Sequence, residues 1–199
     1  MNRFHRWFCK SSYWRKALGE ALIPWALQGV DLGGNILEIG PGPGLTTDIL
    51  RRRFNCVTAL EIDPELARSL KRRLHGTNAR VVEGDATRMP FENNSFSGAV
   101  SFTMLHHVPS TALQDQLLAE VYRVLKPGGV FAGTDSRWGV GFQLFHLLDT
   151  LVVVDPKSIG KRLEIAGFRE VEVSMDKRAF RFRAKRPARD EISTIERGR

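Results

Sequence analysis

At 199 residues with 42% hydrophobic content, the chain has the length of one ordinary domain with its own core and needs no metal or disulfide to hold it together. Its two cysteines, Cys9 and Cys56, are spaced neither as metal ligands nor as a redox pair, and no apolar run is long enough to span a bilayer. Disulfide scaffolds, metal sites and membrane spans are therefore set aside, and with no secretory signal pattern at the N-terminus a cytoplasmic protein is expected.

The formal net charge of +8 is concentrated at the ends, in Arg3, Arg6, Lys10, Arg15 and Lys16 and again from Lys177 to Arg199. Solvated basic ends are the simplest reading; a nucleic acid or an anionic membrane surface are the partners that such ends would otherwise suit.

In chain order, residues 1–30 read as one or two aromatic-rich helices, a cap over the site, carrying Phe4, Trp7, Phe8, Tyr13, Trp14 and Trp25. A main unit then covers residues 31–185. Short apolar runs at Ile36–Ile39, Val57–Leu60, Arg80–Val82, Gly98–Phe102 and Val130–Thr134 alternate with helical patterns, which predicts β-α-β units and a parallel sheet.

Between them, Asp63-Pro64 predicts a capped helix start, with Leu66, Ala67, Leu70 and Leu74 on one face and Gly76 as the stop. Thr111 and Gln114 suggest a capping box opening a helix with Leu113, Leu117, Leu118, Val121, Val124 and Leu125 as its buried stripe, stopped by the turn Lys126-Pro127-Gly128-Gly129. Ser158 is the candidate cap of a later helix ending near Gly167. Val171 and Val173, then Phe180 and Phe182, follow with a period of two. The fold class expected is α/β: a doubly wound, mostly parallel seven-stranded sheet with a C-terminal antiparallel hairpin. Residues 186–199 form a basic, polar tail expected to be disordered.

The chemistry concentrates at strand ends. Ile36-Leu37-Glu38-Ile39-Gly40-Pro41-Gly42-Pro43-Gly44 ends a buried strand in an acid and a glycine-rich turn, where backbone comes close to a ligand. Leu45 occupies the place of the third glycine in G-x-G-x-x-G, so the turn is not a dinucleotide fingerprint. Glu61 closes the second strand, where a carboxylate can accept both hydroxyls of a ribose, and Asp85 follows the third, where it can accept from a base amine.

These segments, with Glu61-Ile62-Asp63-Pro64, Gly84-Asp85-Ala86, Met89-Pro90-Phe91, Leu105-His106-His107-Val108 and Val124-Leu125-Lys126-Pro127-Gly128-Gly129, resemble the class I S-adenosylmethionine-dependent methyltransferases, in particular the small-molecule branch called the type 11 methyltransferase domain. The resemblance covers residues 34–134, and Ala166-Gly167-Phe168 with the hairpin is also similar. It implies that Gly40, Gly42 and Gly44 wrap the methionine and ribose moieties, that Glu38 turns toward the amino group, and that Glu61 holds the ribose. It also implies that Asp85, Ala86 and Ile62 surround the adenine and that Phe102 or Thr103 lies near the methionine end. Ser97 departs from the acid common there.

The implied reaction is in-line displacement on the sulfonium methyl group, leaving S-adenosylhomocysteine, with the protein supplying alignment and desolvation. If the acceptor must lose a proton, His106, His107 and Asp135 are the candidate bases. The aromatic covering segments suit a small apolar or aromatic acceptor, and the basic, aromatic N-terminus also suits peripheral contact with a membrane. An RNA or other macromolecular acceptor is less favoured, since Phe102-Thr103-Met104-Leu105 follows the fourth strand in place of an Asn/Asp-Pro-Pro-aromatic loop. A noncatalytic cofactor-binding protein is the remaining alternative. The sequence sets no oligomeric state.

Overall fold

The computed structural model describes residues 11–139, 143 and 149–188. Five strands, β1 (Asn35–Ile39), β2 (Cys56–Glu61), β3 (Ala79–Glu83), β4 (Phe96–Phe102) and β5 (Leu125–Ser136), pair in parallel. Two more, β6 (Arg169–Met175) and β7 (Ala179–Lys185), add an antiparallel hairpin, with β7 inserted between β5 and β6. The seven-stranded order is β3-β2-β1-β4-β5-β7-β6, as expected of a doubly wound sheet with a terminal hairpin. The order reverses between β1 and β4, and open α/β sheets bind ligands in the crevice beyond such a switch point.

Alternation along the strands sends side chains to two cores, one on each face. Leu37, Ile39, Ala99 and Phe131 join Leu117, Leu118, Val121 and Leu163 on one side; Ile36, Val57, Val100 and Ala132 join Ile23, Leu50, Ala67 and Leu70 on the other. The helices that cover these faces are α3 (Leu45–Leu50), α4 (Pro64–Arg73), α5 (Thr111–Val124) and α6 (Pro156–Ile165).

At the N-terminus, α1 (Ser12–Ala17) and α2 (Ile23–Ala26) are joined by a π-helical turn over Leu18–Leu22, in which the Ile23 N–H donates to the Leu18 carbonyl. Pro24 explains the widening: its ring has no N–H to give and would collide with the carbonyl one turn back, so the helix opens by one residue before it.

Three boundaries differ from the sequence reading. The cap of α5 is Ser110, whose Oγ accepts from the Leu113 N–H at 3.2 Å. That shift makes Gln114 the fourth helical residue instead of the third, out of reach of a capping box, and its side chain turns inward. The cap of α6 is Asp155, accepting from Lys157 N–H at 3.0 Å with Pro156 behind it, the same Asp-Pro start used by α4. Lys126 to Gly129 do not leave the sheet: Phe96 pairs Leu125 and Gly98 pairs Val130, so the segment is an irregularity inside a long β5, with Gly128 at φ +80°.

Arg186, expected to open the disordered tail, is docked. It stacks over Tyr122 at 4.7 Å, donates to the Tyr122 and Arg123 carbonyls, and its backbone exchanges hydrogen bonds with Gly128 and Gly129. The rest of the tail, apart from Pro187 and Ala188, lies outside the described residues, as do residues 1–10 with Phe4, Trp7 and Phe8.

Candidate active site

A cavity of about 660 Å³ opens beyond the carboxyl ends of β1, β2 and β4. One wall is the turn after β1. Gly40, Gly42 and Gly44 have φ of +66°, +54° and +83°, a conformation that L side chains adopt only at a cost. At Gly40 a Cβ would overlap Met104 Cγ, so the turn has no room for any other residue there.

The turn is tied to its neighbours from two sides. Glu61 is buried at the end of β2; its Oε2 accepts from Gly42 N–H and its Oε1 from Asp63 N–H, both at 2.9 Å. Burial pushes the Glu61 carboxyl up, opposed by those two amides and by that of Ile62. Glu61 itself belongs to the cavity lining. On the far side, Arg73 donates to the Pro43 and Gly44 carbonyls at 3.1 and 3.2 Å and pairs with Asp48 at 2.6 Å.

Glu38 stands behind this wall and is not among the cavity-lining residues. Only 1% exposed, it accepts from the hydroxyls of Thr46 and Thr47, the latter at 2.6 Å, in the first turn of α3. Burial raises its carboxyl from 4.5 to about 7, against the two hydroxyls that lower it. Gly44 is also set back: a Cβ there would meet Leu70, so it allows α4 to approach. Both expected cofactor residues thus shape the turn from behind.

Asp85, Ala86 and Ile62 line the cavity together, Ile62 with 65% of its surface exposed. Asp85 accepts from Thr87 N–H and Oγ at 2.8 and 2.9 Å. Its loop is fixed by groups that carry no sequence signature: Glu120 on α5 accepts from Met89 N–H, while Arg123 donates to Glu120, to the Met89 and Phe91 carbonyls and to Asn93. Phe102 ends β4 on the same wall, and Thr103 follows at φ +50°, unusual for a β-branched residue, with its N–H given to the Thr134 carbonyl.

The apolar part of the wall comes from both faces of the sheet: Trp14 and Leu18 from one core, Val108, Leu113 and Leu117 from the other, with Met104 against Gly40. Trp14 and Leu18 place the N-terminal helices at the cavity, whereas Trp25 lies under Arg181 beside β7. His106, 2% exposed, reaches this wall from a short 3-10 turn over Leu105–His107. Its Nδ1 is 2.5 Å from Asp135 Oδ1, and its backbone N–H donates to Asp135 Oδ2 at 3.1 Å. The His107 ring packs beside it, centroids 4.2 Å apart, and points Nδ1 at the Thr150 carbonyl at 3.3 Å. Gln114, with its amide donating to the Leu105 and Val152 carbonyls at 3.1 and 2.9 Å, holds the turn against residues 150–154. A polar residue in the middle of an apolar stripe was the signal for it.

The ionisable residues among the described lining are Glu61, Asp63, Asp85, Asp149, His106 and His107; no lysine or arginine is among them, although the chain carries 30 in all. The described lining is therefore acidic within a basic protein.

Comparison with known proteins agrees with this geometry. A family model described as a methyltransferase domain matches residues 37–133. A fatty-acid O-methyltransferase of Mycolicibacterium smegmatis is 34% identical over 107 residues, covering 53% of this chain and 38% of that protein. A demethylmenaquinone methyltransferase of Tropheryma whipplei is 30% identical over 125 residues, covering 61% and 47%. The matched segment thus spans less than half the length of these relatives. Among solved structures, a Haemonchus contortus phosphoethanolamine N-methyltransferase with S-adenosylmethionine superimposes with a TM-score of 0.69 at 16% identity, over 94% of this chain and 60% of that one. Over residues 37–133 the chain thus carries a methyltransferase domain, and its seven-stranded order is the fold of solved S-adenosylmethionine-dependent methyltransferases.

Proposed function

We propose that the protein transfers a methyl group from S-adenosylmethionine to a small, apolar acceptor. The observation that carries this reading is one cavity lined both by the glycine turn and strand-end residues Gly40, Gly42, Glu61, Ile62, Asp85, Ala86 and Phe102, read as its cofactor wall, and by apolar side chains such as Trp14, Leu18, Leu113 and Leu117, read as its acceptor wall. When bound, the cofactor supplies a methyl group already activated on a sulfonium.

The chain's own residues then have three tasks. Glu61 and Asp85 accept from the nucleoside, and the glycine turn comes close to it where a Cβ would intrude. The four acids of the lining favour a positive charge. The apolar wall keeps water from the reacting atoms and aligns the acceptor for in-line attack. That relatives bear the names of fatty-acid and demethylmenaquinone methyltransferases supports an apolar acceptor here.

Titration calorimetry tests the reading. S-adenosylmethionine and S-adenosylhomocysteine both bind the wild-type protein, and Glu61→Ala removes binding while the circular dichroism spectrum stays native. A folded wild-type protein that binds neither ligand overturns it.

A further inference from the structure

Beyond the catalytic reading, we propose that the face formed by α1, α4 and the turn after α3 docks the protein on an anionic lipid bilayer. Most of the charge on this face lies away from the basic ends of the chain. α4 carries Arg68, Lys71, Arg72 and Arg73 against Glu65 alone. The turn that ends α3 adds Arg51, Arg52 and Arg53. Asp48 takes two of these, pairing with Arg51 at 3.2 Å and with Arg73 at 2.6 Å. Arg52, Arg53, Arg68, Lys71 and Arg72 are exposed and have no side-chain partner among the described residues.

These groups share one layer of the fold. Leu50 of α3, Ala67 and Leu70 of α4, and Leu18 just after α1 pack into the same core on one face of the sheet, so their charged neighbours are turned to solvent. Arg68 and Arg72 stand one turn apart on α4, on the side away from Leu70. The turn after α3 is fixed against the far end of α4, where Asn78 donates to the Arg51 and Phe54 carbonyls, both at 2.9 Å. Toward the other end, Arg15 on α1 shares a hollow of about 270 Å³ with Leu66, Ser69 and Arg73 of α4. Pro43, Leu45 and Leu66 line both that hollow and the cavity, so the basic face runs up to the cavity. The acids of this face, Glu20, Asp48, Asp63 and Glu65, are fewer, and the first three are engaged by Lys16, by two arginines and by the α4 amides.

What surrounds the cavity favours a bilayer as the partner. Tyr13 and Trp138 are 73% and 63% exposed, and residues close to them in the chain, Trp14 and Ser136, line the cavity. Exposed Tyr and Trp rings beside an array of Arg and Lys match the surface of an anionic bilayer, where the rings sit among the headgroups and the cations meet lipid phosphates. A polynucleotide would occupy the same cations. The apolar acceptor proposed above partitions into lipid and so decides for the bilayer, a step that rests on that reading.

Vesicle sedimentation of the full chain tests the docking, with vesicles of equal parts phosphatidylcholine and phosphatidylglycerol set beside phosphatidylcholine alone. Binding is expected to the anionic vesicles, weakening as salt is added, and not to the neutral ones. Each exposed basic residue contributes about fivefold, so a variant with Arg68→Gln, Lys71→Gln and Arg72→Gln should bind about 100-fold more weakly. Gln is a good helix former and these side chains hold nothing in place, so the variant keeps its fold. A control with Lys126→Gln, Lys157→Gln and Lys161→Gln removes the same net charge from exposed sites elsewhere, on β5 and α6, and should stay within about threefold of the wild type.

No binding to anionic vesicles by a protein with a native circular dichroism spectrum, an equal loss in both variants, or tighter retention on polyuridylate than on the vesicles at the same salt overturns the proposal. Calorimetry with S-adenosylhomocysteine on the same protein keeps the two readings apart: a chain that binds vesicles but no cofactor loses its proposed function and keeps its docking face.

Discussion

The two walls of the cavity are built in different ways. The cofactor wall is assembled from segments that each follow a strand directly: glycines with positive φ after β1, Glu61 after β2 reaching its neighbour Asp63 and, 19 residues back, Gly42, and Asp85 bound to Thr87 after β3. The acceptor wall is assembled from pieces distant in the chain: Trp14 and Leu18 from the N-terminal helices, His106 bound to a residue 29 positions later, Gln114 bridging Leu105 and Val152. The carboxyl ends of the strands thus supply one part of the site through backbone turns, while the other part rests on packing between elements far apart in the chain.

If the walls are independent, substitutions on each should separate binding of cofactor from turnover. The largest effect is expected at Gly40. An alanine there must adopt φ near +66° and displace Met104. The backbone term costs about 1–2 kcal/mol and the displaced side chain about as much again, so S-adenosylhomocysteine affinity should fall by about 100-fold. Trp14→Ala, on the other wall, should leave that affinity within about threefold. Calorimetry on the two variants decides it, and a comparable loss in both would mean that the walls are one unit.

Glu38 sharpens the division from behind the cofactor wall. Its carboxyl titrates near 7 in the folded protein against 4.5 for the ordinary group, raised by burial. Below 4.5 both folded and unfolded chains hold the proton. As pH rises from there to about 7 the unfolded chain releases it first, so the stabilisation present at low pH is lost through that window, on the order of 3 kcal/mol by pH 8. Glu38→Gln removes the titration and keeps an oxygen for one threonine hydroxyl. Its urea midpoint should exceed that of the wild type at pH 8, with the difference shrinking toward pH 5. A direct contact with the cofactor amino group would show instead as lost affinity at every pH.

How much of this was legible follows the same divide. The mostly parallel sheet, its terminal hairpin and the glycine turn after β1 were readable because Gly, Asp-Pro and strand-terminal acids are dictated by local backbone demands. Glu38 was recognised as an acid beside the turn, but which way it points depends on Thr46 and Thr47, which no spacing rule connects to it. The caps of α5 and α6 were misplaced by one and three residues because Ser110 and Thr111, or Asp155 and Ser158, are all competent oxygens, and only the backbone dihedrals choose between them. His106, His107 and Asp135 could be named as titratable groups at strand ends; that two of them touch is a tertiary fact.

Gln114 gives the smallest of the expected effects and isolates the acceptor wall most cleanly. Its amide supplies the Leu105 and Val152 carbonyls, and its oxygen accepts from Arg162 at 3.0 Å, so truncation to alanine leaves two carbonyls short of a donor in a site with 2% exposure. Arg162 keeps Asp115 at 2.6 Å and the Thr111 carbonyl, which limits the damage on that side. The loss should be about 2 kcal/mol, or about 4–8 °C in the thermal midpoint of a chain this size. Because Val152 N–H donates to the His106 carbonyl, its hydrogen-exchange protection should fall with it. Gln114→Leu restores the volume without the donors, so it should behave like alanine if the hydrogen bonds matter and like the wild type if packing does. In either variant, cofactor affinity unchanged with His106 displaced would show that the His106 turn is held by the acceptor wall alone.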